Sequence, residues 1–145
     1  MKAELGHDFS DAADCELLDA ILYNVFPNMS FWAGFPPSLV YRWRPWGNSH
    51  EHTLMEVIRL KIPPKDGPTP PPQEMRLLGD DEPWTAAADQ LGAPLAGVFD
   101  QDMANLPYVQ EGLNASLSGT VHFGRYSEMR IRHHHHMLEN FLKDA

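Results

Sequence analysis

The stretch Ser38-Leu39-Val40-Tyr41-Arg42-Trp43-Arg44, with the turn Trp46-Gly47-Asn48-Ser49 and the return Thr53-Leu54-Met55-Glu56-Val57-Ile58-Arg59-Leu60-Lys61-Ile62, decides the fold. Its hydrophobicity alternates. Leu39, Tyr41 and Trp43 fall on one side and Val40, Arg42 and Arg44 on the other, the period of a half-buried strand. On the return, Leu54, Glu56, Ile58, Leu60 and Ile62 share a side opposite Met55, Val57 and Arg59. Two such runs joined by a Gly-Asn turn predict a hairpin of long antiparallel strands. His50-Glu51-His52 lies at its polar tip, where two imidazoles have neither a third ligand nor supporting groups, so solvated side chains are expected there.

Upstream, Ser10 or Asp11 can cap a helix running to about Tyr23, with Ala13, Leu17, Leu18, Ile21, Leu22 and Val25 at helical spacing. Phe26-Pro27-Asn28 ends it, and Met29 to Gly34 reads as the first strand, closed by Phe35-Pro36-Pro37. Cys15 is a small packing residue, since no motif supplies its thiol with a base. Three strands leave a sheet edge unpaired, and an edge of that kind favours association with a partner or a second copy.

Downstream, the six prolines between Pro63 and Pro72 cannot donate to a sheet and form a surface connection inside one domain, residues 1–145. Asp80, Asp81 and Glu82 make a solvated acidic loop ahead of a short helix, Thr85 to Leu91, closed by Gly92. A last helix from Tyr126 or Ser127 carries Ile131, His134, His135, Leu138, Phe141 and Leu142 on its inward side. Its adjacent histidines, His133 to His136, point about 100° apart in succession, so at most His133 and His136 could meet one ion.

Between these helices lies Gly97-Val98-Phe99-Asp100-Gln101-Asp102-Met103-Ala104-Asn105-Leu106-Pro107. Wound as a helix, it stacks Leu95, Val98, Phe99, Leu106, Val109 and Leu113 around Asp102, with Asp100 about 200° away. Only one carboxylate can face inward, and the stripe selects Asp102. Such a carboxylate needs a basic partner or a metal ion, and spacing alone leaves both open. Pro107 predicts a kink that frees or displaces the Met103 carbonyl.

The chain has 145 residues, 43% of them apolar, enough for one globular core. A formal charge of −9 with scattered basic residues argues against nucleic acid. No apolar run approaches the roughly 20 residues of a membrane span, and Met1 to Glu4 opens no signal peptide, so a cytoplasmic protein is expected.

Tyr41-Arg42-Trp43-Arg44-Pro45, Gly79-Asp80-Asp81-Glu82-Pro83-Trp84, Val98-Phe99-Asp100-Gln101-Asp102 with Asn105-Leu106-Pro107, and Arg130-Ile131-Arg132-His133 occur in this order. Together they resemble the C-terminal part of the catalytic domain of Rieske-type ring-hydroxylating oxygenase α subunits, from about Phe9 onward. The chain departs from the family's pattern at His134, where an aromatic is usual. The resemblance implies an α+β, helix-grip fold, an antiparallel sheet packed on a long C-terminal helix. It implies an oxidoreductase, a mono- or dioxygenase acting on an aromatic or related apolar substrate with O2. It also implies that Asp102, three residues after Phe99, is the carboxylate of a two-histidine, one-carboxylate site for mononuclear non-haem Fe(II).

The family's two iron-binding histidines come from a segment that precedes the matched part, and Met1 to Phe9 does not resemble it. A [2Fe–2S] Rieske cluster needs two thiolates, and this sequence has one cysteine. The expected partners are therefore a chain carrying the Rieske domain and the histidines, a ferredoxin or reductase, and an aromatic small molecule, with this chain inactive alone. Phe99, Met103, Phe31 and Tyr41 are the expected pocket residues. The alternative is a non-enzymatic helix-grip domain, a truncated remnant, that holds an apolar ligand or a partner.

Overall fold

The computed structural model describes residues 5–34 and 38–143. The proposed strand stop at Phe35-Pro36-Pro37 and the Met1 to Glu4 segment lie outside the described residues. The chain divides into two compact units, Met1–Pro71 and Pro72–Ala145, at the end of the proline run.

The first unit is a four-stranded antiparallel meander in the order β1-β2-β3-β4: Ile21–Val25, Met29–Ala33, Ser38–Pro45 and Thr53–Leu60. The predicted hairpin is present as β3 and β4, with eight pairs from Ser38↔Leu60 to Pro45↔Thr53. Alternation forces this register, because a slip of one residue would turn Tyr41 and Trp43 to the other side.

The helix expected from residue 10 to about Tyr23 is replaced by a short α1, Asp14–Leu18, and by β1. The Glu16 carboxylate accepts the Ala13 N–H at 2.9 Å and starts α1. Ile21-Leu22-Tyr23-Asn24-Val25 then pairs with β2 from Ile21↔Ala33 to Val25↔Met29. A five-residue run with four β-branched, aromatic or aliphatic side chains around Asn24 fits either period, and tertiary pairing decides for the strand. The Ser30 hydroxyl donates to Asn24 Oδ1 across that pair and is 2% exposed. Asn28 fixes the β1–β2 turn to β3: its Nδ2 donates to the Trp43 carbonyl at 2.7 Å, and the Trp43 N–H donates back to its carbonyl at 2.9 Å.

Cross-strand partners point the same way, so the register defines two sheet faces. Face A carries Leu22, Asn24, Ser30, Trp32, Leu39, Tyr41 and Trp43; face B carries Tyr23, Phe31, Val40, Arg42, Arg44, Glu56 and Ile58. Ser30 and Leu39, both buried, lie on face A.

The second unit is helical. A 3-10 turn, Trp84–Ala87, leads into α2, Ala88–Leu91, then α3, Ala93–Met103, α4, Leu106–Asn114, and α5, Met129–Lys143. Gly92, at φ 88°, separates α2 from α3 with a backbone that other residues rarely adopt. Ala87, Leu91, Ala96 and Phe99 are its buried apolar residues. Pro107 does more than kink the expected helix: α3 ends at Met103, and Pro107 falls in the first turn of α4, where no N–H is required. The acidic loop is tied down by Glu82, which accepts Arg76 Nη2 at 2.5 Å and the Gly79 N–H at 3.2 Å. These contacts, the Gly79 N–H foremost, hold its carboxyl below the usual range. No helix among the described residues is long and apolar enough to cross a membrane.

Candidate functional site

The two carboxylates of α3 have different fates. Asp100 is half-buried and accepts the backbone N–H of Trp84 at 2.5 Å and that of Thr85 at 3.3 Å. It caps the 3-10 turn from a distance in sequence and closes donors that would otherwise lack partners. Asp102 is exposed, and its carboxylate makes no hydrogen bond or ion pair with the described residues.

This reverses the expected orientation. Of the stripe expected to turn inward with Asp102, Phe99 is buried and Leu95 half-buried, while Val98 at 50%, Leu106 at 53% and Val109 at 54% are open to solvent. The inward side runs instead through Ala96, Phe99, Asp100 and Met103, at spacings of three, four and seven. The physical reason is size. Ala96, 0% exposed, lets neighbouring backbone approach closely, whereas a reading of large apolar residues skips it.

The proposed pocket residues are divided between the two units, Phe31 and Tyr41 in the sheet and Phe99 and Met103 in the helices. Phe99 is 4% exposed with its ring centroid 4.9 Å from that of Trp84, so it is a core residue of the helical unit. Met103 is half-buried one turn further along α3. Phe31 pairs with Val40 and stacks on Tyr23 at 5.3 Å, on face B. Tyr41 pairs with Ser30 and meets Trp43 edge-on at 6.0 Å, on face A. A single ligand on the sheet can touch Phe31 or Tyr41, not both faces at once.

Among the described residues, no group of three or more His, Cys, Asp or Glu side chains could hold a metal ion. His50 and His52 border an open cleft of about 270 Å³ with Asn28, Trp43 and Arg44. In α5 the His135 ring packs 5.5 Å from Phe123, and His136 lies 3.2 Å from Asn140, so these imidazoles do not converge. The described residues therefore do not by themselves fit an iron ion, although Asp102 is a free hard-oxygen donor of the kind Fe(II) accepts.

The strongest electrostatic feature lies on the sheet and escaped the sequence reading. Glu56 Oε2 accepts Arg42 Nε, and its two oxygens accept Arg44 Nε at 3.0 Å and Nη2 at 2.7 Å. Arg42, and then Arg44, hold this carboxyl down to about 2. The hairpin register would have revealed the pair, because Arg42 sits directly across from Glu56.

An antiparallel sheet in the first unit and helices in the second make the chain α+β. Residues 7–144 match the family described as ring hydroxylating alpha subunit (catalytic domain), and the chain belongs to that family. No curated protein and no solved structure matches it. The α+β elements are consistent with the helix-grip-like domain of these subunits. Membership implies a Rieske oxygenase system with non-haem iron, a Rieske domain and electron-transfer proteins.

Proposed function

We propose that this chain is the carboxylate-bearing part of a ring-hydroxylating oxygenase catalytic domain, with Asp102 as its ligand to mononuclear Fe(II). The two imidazoles and the [2Fe–2S] Rieske centre come from residues outside these 145, and a ferredoxin or reductase supplies electrons. The substrate is an aromatic or related apolar molecule, hydroxylated with O2. One observation carries the assignment: of two carboxylates on one helix, Asp100 is consumed by the Trp84 and Thr85 N–H groups and Asp102 is left without a partner. A ligand must keep its lone pairs available, and Asp102 does. In this reading Met103, next in sequence and half-buried, is the helix residue that would meet the substrate.

With one carboxylate and no imidazole beside it, the chain alone holds iron poorly and turns nothing over. A three-ligand face anchors the metal and leaves positions for O2; a single oxygen ligand does neither. Iron content and aromatic turnover are measured for the chain alone and for its mixture with a protein carrying the Rieske cluster and the histidines. The proposal expects substoichiometric iron and no turnover alone, with both appearing in the mixture. Stoichiometric Fe(II) with turnover by the isolated chain would overturn it.

The second reading is a non-enzymatic domain that binds an apolar ligand or partner. It is favoured by the exposed apolar side chains around Asp102. Saturable binding of an apolar ligand by the isolated chain, combined with failure of the mixture to take up iron, would select it.

A further inference from the structure

The cleft at the hairpin tip has no part in the oxygenase reading. It measures about 270 Å³ and is walled by the end of β3, the turn after it, the first residue of β4 and Asn28 of the β1–β2 turn. All its lining residues fall between Asn28 and Thr53, so the cleft belongs to the first unit by itself. Its walls are tied together. The paired Asn28 and Trp43 contacts join the β1–β2 turn to β3. The Trp46 N–H donates to the His52 carbonyl at 3.3 Å and the Glu51 N–H to Ser49 Oγ at 3.1 Å, closing the turn that carries both histidines.

The lining is rich in donors, and no carboxylate is part of it. Arg44 gives its Nε and one Nη2 proton to Glu56, which leaves Nη1 uncommitted among the described residues. The His50 and His52 rings make no hydrogen bond or ion pair with the described residues, and each has an N–H to donate in either tautomer. The Ser49 and Thr53 hydroxyls add two donors. Glu56 offsets only one of the two guanidinia it binds, so the charge beside the cleft is positive in a chain of formal charge −9. A metal cation is disfavoured, because two imidazoles have no third ligand here and the Arg44 guanidinium repels it.

We propose that this cleft binds an aryl phosphate, with the phosphoryl oxygens on Arg44, His50, His52 and Ser49 and the ring along Trp43. The donor count favours phosphate over carboxylate. Four donor residues exceed what the two oxygens of a carboxylate engage and suit the three of a phosphoryl group, which an arginine recognises well. Trp43 and Pro45 supply the apolar wall, and an aromatic face takes a planar ring. The volume lies just under the roughly 300–1,000 Å³ of pockets for drug-sized ligands, so the occupant is one ring with one anionic group.

The probe is phenyl phosphate, titrated against the full chain and followed by backbone amide shifts in two-dimensional NMR. Benzylammonium serves as a cation of similar size, benzoate as a two-oxygen anion and inorganic phosphate as an anion without a ring. Net charge alone favours benzylammonium. The proposal expects saturable shifts clustered at Asn28 and residues 43–53, with phenyl phosphate binding at least fivefold tighter than any of the other three. His50→Ala combined with His52→Ala, at exposed positions outside the strands, should weaken it at least fivefold, whereas His133→Ala combined with His136→Ala should leave it unchanged. Equal or tighter binding of any comparison compound would overturn the proposal. So would shifts centred elsewhere in the chain, or unchanged affinity in a His50/His52 double variant whose spectrum shows it folded.

Discussion

The Asp100 carboxylate accepts the Trp84 backbone N–H at 2.5 Å, joining α3 to the 3-10 turn sixteen residues before it. The Trp84 ring then lies against Phe99. One side chain thus fixes where the turn starts and which way α3 is rotated. Asp100→Ala should cost about 1–2 kcal/mol, the loss of a helix-type cap. For a unit of this size each kcal/mol lowers the melting temperature by roughly 4–8 °C. Asp102→Ala, at an exposed carboxylate without a partner, should stay within about 0.5 kcal/mol of the parent. Thermal melts of the two variants check both.

Phe99→Ala should destabilise the helical unit by roughly 3–5 kcal/mol, because a buried aromatic is deleted from a small core. Urea unfolding followed by tryptophan emission measures it. A variant of unchanged stability would return Phe99 to a ligand pocket.

The β3–β4 hairpin is legible in the sequence because Leu39, Tyr41 and Trp43 alternate with Arg42 and Arg44 and a Gly-Asn turn signal follows. The helix expected from Ser10 or Asp11 to about Tyr23 fails for the opposite reason. Ile21 to Val25 is too short to separate a period of 2 from one of 3.6, and its pairing with β2 is a long-range fact. At the candidate site, the sequence put both carboxylates on one helix but could not show which side that helix buries. Apolar spacing weighed Val98 and Leu106 above Ala96, yet the small residue is the one that packs. Arg42, Arg44 and Glu56 were each placed on the right side, and only the register brought them together.

Glu56 gives the sheet an acid limit. Its carboxyl titrates at about 2 in the folded chain against an ordinary value of 4.5. A depressed carboxylate contributes stability that is complete above its unfolded value and is lost as pH falls through its folded one. Stability should therefore decline between about pH 4.5 and 2. Glu56→Gln should flatten that part of the profile, measured as denaturant midpoint against pH.

Gly34 should resist substitution. Its φ is 104°, and an added Cβ would stand 2.7 Å from the Glu16 carbonyl oxygen, which is backbone and cannot swing aside. Gly34→Ala should cost roughly 1–3 kcal/mol. Gly47→Ala, at φ 66° with nothing within 4 Å of the new Cβ, should cost less. Paired melts of the two variants separate crowding from backbone strain.

Iron content of the reconstituted oxygenase, compared for the parent chain, Asp102→Ala and Asp100→Ala, bears most directly on Asp102 as the ligand. The expected result is near-stoichiometric iron in the parent, its loss in Asp102→Ala without loss of fold, and its retention in folded Asp100→Ala. Iron retained in Asp102→Ala would contradict the assignment, and so would iron lost from an Asp100→Ala protein whose melt shows it folded.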